Sequence, residues 1–187
     1  MTALLLVAAF CGLRASELRG LRWYDVDLKE GELHVRQRAD RYGAIGSPKS
    51  TKSRRTIPLD PNLLIPALKE WKLACPKSEL DLVFPTRTGA IDTHKNMLRG
   101  LESAMRAAGV VHRNGKPKYA LHAFRHYFAS WCISPKERGG RELSAKVAQE
   151  WLVHSTIAMT LDVYGHLFPR GNDNAELAEA EQALLGG

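Results

Sequence analysis

Apolar residues run almost unbroken through Met1-Thr2-Ala3-Leu4-Leu5-Leu6-Val7-Ala8-Ala9-Phe10. A stretch that is apolar on every face predicts a helix buried on all sides over residues 2 to 11. It lacks the basic start of a secretory leader and passes straight into Gly12-Leu13-Arg14-Ala15-Ser16-Glu17. A chain that starts inside such a helix is expected to be a piece of a longer protein. Gly12 breaks the helix, and a short second one restarts at Ser16, read as its N-cap. The pattern then changes period. Asp25 to Leu28 and Glu32 to Arg36 alternate polar and apolar around Lys29-Glu30-Gly31, which predicts two strands joined by a turn. A third strand is expected over Arg54 to Leu59. Between them, residues 38 to 53 hold Gly43, Gly46, Ser47, Pro48, Ser50 and Ser53 among basic groups, which reads as a mobile loop.

Beyond residue 60 the helical period dominates. Helices are expected over Pro61 to Cys75, Thr93 to Ala108, His122 to Ile133, Ser144 to Val153, Thr156 to Tyr164 and Asn174 to Leu185. Leu82-Val83-Phe84 is long enough only for a linking strand. Val111 to Ala120 reads as a basic loop and Ser134 to Arg141 as a polar one. The expected fold class is α+β, mainly helical, with a small three-stranded antiparallel sheet. Residues 1 to 171 form one domain, and 172 to 187 form an acidic tail helix.

Composition narrows the function. The 187 residues carry 27 basic and 20 acidic groups, a net charge of +7, which favours a polyanionic partner such as nucleic acid. No apolar run is long enough to span a membrane. Three scattered cysteines, Cys11, Cys75 and Cys132, suit reduced thiols and a cytoplasmic location. There is no GxSxG elbow, no glycine-rich phosphate loop and no acidic cluster for two metal ions.

Phosphodiester chemistry needs a nucleophile, charge stabilisation and a proton for the leaving oxygen. Taken singly, a helix-end tyrosine more often packs its ring and an Arg-Glu pair more often lies solvated on the surface, so the roles that follow rest on a family resemblance. Tyr164 is the candidate nucleophile. Arg14 and Arg125 are candidate phosphate clamps, because a guanidinium stays charged and matches two oxygens at once. Glu17, three residues after Arg14, is placed to orient it. His122 lies on the same side of its helix as Arg125 and can donate to phosphate or exchange a proton with Tyr164. His154 is a second donor. His122 and His126 have metal-ligand spacing, but the pattern lacks the glutamate of HExxH and a third ligand, so no metal is expected. His126 is read as a support for its helix.

Taken together, Gly12-Leu13-Arg14-Ala15-Ser16-Glu17-Leu18, Leu121-His122-Ala123-Phe124-Arg125-His126, His154 and Tyr164-Gly165-His166 resemble the signature of tyrosine recombinases of the phage integrase family. The family usually has glycine where this chain has Val153. The segment from Ser47 to Pro58 resembles the family's β-hairpin, whose lysine reaches the DNA. That resemblance makes Lys49 the general acid, with Lys52 as the other candidate. Arg41, Lys52, Arg54 and Arg55 are then expected on the DNA backbone. The resemblance implies a catalytic-domain fold and site-specific recombination, integration or excision of a mobile element, through a 3′-phosphotyrosyl intermediate. No cofactor is implied, because the covalent link conserves the bond energy. It also implies double-stranded DNA as partner, a tetramer on DNA for the full-length protein and a monomer for the isolated domain. N-terminal DNA-binding domains are expected outside these residues, and the location is the nucleoid. The alternatives are a type IB topoisomerase-like enzyme, which relaxes DNA without exchanging partners, and an inactive accessory DNA-binding protein.

Overall fold

The computed structural model describes residues 1–48, 53–153 and 156–168, together with residue 182. Lys49, Lys52, His154 and nearly all of the expected tail helix lie outside the described residues. Within them the chain forms α1 (Thr2–Cys11), α2 (Ala15–Arg19), β1 (Val26–Asp27), β2 (Glu32–Val35), β3 (Arg38–Ala39), β4 (Ile45–Gly46) and β5 (Arg55–Pro58). Five further helices follow: α3 (Leu64–Ala74), α4 (His94–Ala107), α5 (His122–Ile133), α6 (Ala145–Leu152) and α7 (Ile157–Tyr164). The mainly helical α+β class expected from the sequence is the one observed. Strands β1, β2 and β5 make the antiparallel sheet, in that order, with Leu33 opposite both Val26 and Ile57.

Helix α1 is the hub. Ala3, Leu4, Val7, Ala8 and Cys11 are buried, and the helix joins the main core formed with the sheet, α3 and α4. Each leucine fully buried in that core contributes roughly 1.5–3 kcal/mol of transfer free energy. Phe10 on α1 packs edge-on against Tyr127 and Trp131 of α5, with ring centroids 5.9 and 5.1 Å away. A second core of Phe128, Ala129, Cys132, Ile133, Ala148, Leu152 and Tyr164 joins α5, α6 and α7. Arg141 binds this unit from outside, its guanidinium lying over Trp131 at 5.4 Å and Trp151 at 5.0 Å. Helix α5 therefore belongs to both cores, and its residues face elements far apart in sequence.

Three local expectations change. Residues 38 to 46 are not a featureless loop: β3 and β4 pair antiparallel as a second, two-stranded hairpin. Asp40 organises its turn by accepting from the backbone N–H of Tyr42 at 2.8 Å and of Ala44 at 2.9 Å. Helix α3 starts at Leu64 and not at Pro61, because Asp60 accepts from the N–H of Asn62 and Leu63 and holds a turn ahead of it. Helix α2 takes Arg14, not Ser16, as its N-cap residue, and Glu17 three positions on returns its carboxylate to the Arg14 N–H at 2.9 Å.

Candidate active site

The site is assembled at the end of α1, the start of α2 and the first two turns of α5. Gly12 closes α1 in a left-handed conformation, φ 59°. A Cβ there would overlap the Phe128 ring, so glycine is required both for the turn and for the approach of α5. The same residue offers its carbonyl to Arg125, whose Nη1 donates at 2.7 Å. Arg125 is only 5% exposed, and its Nη2 is buried without an acceptor among the described residues. Burial first, then the charges of Arg14 and Arg55, lowers its pKa to about 10, opposed by Glu17 and Tyr164.

Arg14 sits at the mouth of α2, its side chain 40% exposed. Its Nη1 pairs with Glu17 at 3.0 Å, and its Nη2 donates to the Val153 carbonyl at 3.5 Å. Glu17 is buried and holds a second arginine. Arg55 reaches it from β5, with Nη2 2.9 Å from one carboxylate oxygen and Nη1 3.3 Å from the other. Burial would raise the Glu17 pKa, but the hydrogen bonds and charge of Arg55, and then those of Arg14, bring it below its ordinary value. The expectation of Arg55 as a DNA contact does not fit this placement, because its side chain is 5% exposed beneath the site. Strand alternation carried the signal: Arg55 is two residues from buried Ile57 and shares its inward face. Arg54 and Arg41 are exposed, as a surface contact requires.

His122 lies within electrostatic reach of Arg14 and Arg125. Loss of hydration, then the charges of His126, Arg125 and Arg14, lowers its pKa and favours the neutral ring. Tyr164 ends α7 in the second core, 7% exposed. Burial raises its phenol pKa against the opposing charge of Arg125. Its hydroxyl lies 2.5 Å from Nδ1 of His126. That contact adds to the reading of His126 as a supporting residue: its side chain meets the candidate nucleophile. His122 and His126 stack edge to face, 4.8 Å apart, so Tyr164, His126 and His122 form a continuous polar line along α5. The i, i+4 spacing of the two histidines was visible in sequence, but its direction toward α7 was not.

Arg14, Arg125, His122 and Tyr164 thus come together, with Glu17 and Arg55 behind them. Arg14 and Arg125 lie within electrostatic reach of each other, while the buried Glu17 carboxylate is already shared by Arg14 and Arg55. An anion with several oxygens would accept the donors this leaves over. A phenol beside it would supply a nucleophile.

Residues 1–170 match the phage integrase family. The chain is 31% identical over 199 residues to a tyrosine recombinase XerC-like protein of Caldanaerobacter subterraneus, covering 94% of this chain and 48% of that protein. It is 29% identical over 192 residues to the ICEBs1 integrase of Bacillus subtilis, covering 96% and 48%. The chain therefore spans about half the length of these curated relatives. Among solved structures, the fold is similar to that of the Tn1549 transposon integrase in complex with transposon right end DNA. That similarity has a TM-score of 0.72 at 22% identity, over 97% of this chain and 58% of the other.

Proposed function

The chain belongs to the phage integrase family, and from that membership we propose that it is the catalytic unit of a tyrosine site-specific recombinase acting on double-stranded DNA. The observation that carries the reading is Arg125: a buried guanidinium anchored through Nη1 to Gly12, with Nη2 buried and lacking an acceptor among the described residues. A phosphodiester oxygen supplies the missing acceptor, and Arg14 and His122 lie within electrostatic reach of Arg125. The DNA complex of the similar transposon integrase supports the choice of ligand.

The tyrosine oxygen attacks the scissile phosphorus and its proton passes to an imidazole. Moving that proton outright from a phenol to an imidazole costs ~5 kcal/mol at ordinary acidities, so transfer must accompany formation of the O–P bond. Arg14 and Arg125 take up the charge growing on the non-bridging oxygens. The 5′-oxygen leaves with a proton, for which Lys49 is the proposed donor. The phosphate is then esterified to Tyr164, and the 5′-hydroxyl of a partner strand reverses the step and releases the tyrosine. One phosphodiester is exchanged for another, so no external energy source enters the balance. On DNA the full-length protein would act as a tetramer.

The test is a suicide duplex bearing the recombination site of the encoding element, run on a denaturing gel. The wild-type chain should give a covalent adduct. Tyr164→Phe should give none while keeping non-covalent binding, because the ring still packs. Adduct persisting in Tyr164→Phe would overturn the assignment. Exchange between two marked duplexes separates recombination from simple relaxation.

A further inference from the structure

A second cationic pocket borders the site. It measures about 490 Å3 and opens beside Arg14 and His122. Its remaining basic walls come from three separate segments: Arg19 on α2, Arg38 and Arg41 on the β3–β4 hairpin, and His94 in the first turn of α4. These segments are fastened to one another around it. A Cβ on Gly20 would lie 2.7 Å from the Ala39 nitrogen, so glycine at the end of α2 lets the hairpin press against it. Gln37 Nε2 donates to the Gly20 carbonyl at 2.7 Å and locks the approach. Arg19 Nε donates to the Asp92 carbonyl at 2.5 Å and ties α2 to the start of α4.

The donors of this pocket outnumber its acceptors. Among its lining residues the one carboxylate is Asp40, whose oxygen already accepts the N–H groups of Tyr42 and Ala44 in its own turn. Arg38 has a buried Nε with no hydrogen-bond partner among the described residues. Arg41 stands exposed at the rim, its guanidinium over the Tyr42 ring at 4.6 Å.

We propose that this pocket receives a non-scissile phosphate of the DNA strand being cut, with Arg38 as its main donor and Arg41 and His94 at its edge. The proposal rests on the DNA-cleaving reading of the adjoining site and goes beyond it. The ligand is a phosphate and not a base, because the lining offers guanidinium forks, and its only rings are the two imidazoles. Because Arg14 and His122 line this pocket and also lie within electrostatic reach of Arg125, a phosphate held here lies close to the scissile one along the same strand. Holding it sets the register of the strand, so that one phosphodiester comes to rest on Arg125. Phosphate contacts position a duplex without reading its sequence.

Fluorescence anisotropy of the full chain with short A·T-rich and G·C-rich duplexes, across a range of KCl, tests this. Removing one phosphate-binding cation should weaken binding on both duplexes alike and reduce the salt slope by about one. Arg38→Gln and Arg41→Gln should both behave in this way, and Arg38→Lys should restore most of the slope. Arg41 is exposed, so its variant remains informative if Arg38→Gln fails to fold in a thermal melt. Wild-type binding with unchanged affinity and slope in both folded glutamine variants overturns the pocket while leaving the recombinase reading intact. Effects that differ between the two duplexes overturn the phosphate assignment in favour of base contact. A wild-type chain with no salt-dependent duplex binding removes the recombinase reading, and this proposal with it.

Discussion

The Tyr164 hydroxyl and His126 Nδ1 lie 2.5 Å apart, joining the last residue of α7 to the second turn of α5. Burial raises the Tyr164 phenol above its ordinary pKa, so the hydroxyl keeps its proton near neutrality, within hydrogen-bond distance of the His126 ring. Removal of that proton is then a step that His126 is placed to assist. His126→Ala should slow adduct formation by roughly a hundredfold. The deficit should shrink as pH rises and phenolate forms unaided. Single-turnover cleavage across pH checks this, and a deficit that is constant with pH would assign His126 to packing alone.

Glu17 and Arg55 form a buried pair at 2.9 Å, each about as inaccessible as the core. Glu17→Gln leaves the buried Arg55 charge uncompensated and should cost about 3–5 kcal/mol, Arg55→Met less because Arg14 still pairs with Glu17, and the double variant less than their sum. Urea unfolding of the four proteins measures the coupling.

The same pair sets an acid limit. Glu17 has its folded pKa below the unfolded value, so its stabilisation is complete above the ordinary carboxylate range and is lost as pH falls through the folded value. His122 is also lowered. Its neutral form is favoured in the fold, so stability drops once pH falls below the unfolded histidine value. Melting temperature should therefore fall in two stages on acidification. His122→Gln should remove the stage that sets in below the ordinary histidine value, and Glu17→Gln the one that sets in below the ordinary carboxylate value.

Val153 occupies the left-handed region, φ 51° and ψ 47°, at the end of α6. A β-branched side chain is strained there. Val153→Gly should raise stability by ~1 kcal/mol, seen as a higher urea midpoint with an unchanged slope. An unchanged or lower midpoint would mean that the Val153 side chain repays the strain through packing.

Lys49 is expected to protonate the departing 5′-oxygen. Sulfur at that bridging position leaves without a proton. Lys49→Ala should therefore cleave ordinary DNA slowly and the sulfur substrate near the wild-type rate. Equal slowness on both would make Lys49 a phosphate contact, and no deficit on either would move the role to Lys52.

Much of this protein was decided locally, where short-range physics acts alone. The all-apolar run of α1, the glycine stop at Gly12 and the alternation around Lys29-Glu30-Gly31 each act within a few residues. Thr93, Ser144 and Thr156 cap their helices through side-chain oxygens that accept from Asn96, Val147 and Met159, as their positions ahead of helical runs imply. The motifs around Arg14, His122, Arg125 and Tyr164 likewise carried the family resemblance in the sequence. Tertiary structure alone decided who meets whom. Arg55 and Glu17 are 38 positions apart, as are His126 and Tyr164. Local propensity does not specify which turn of a helix faces a strand laid down much earlier or a helix that follows much later. The close approach of the Arg38–Ala39 backbone to Gly20, which sets Arg38 on the wall of the pocket that His122 also lines, is of the same kind. Such contacts form only when several amphipathic elements bury their apolar faces together, and that shared burial, not any local signal, directs the polar side chains caught between them.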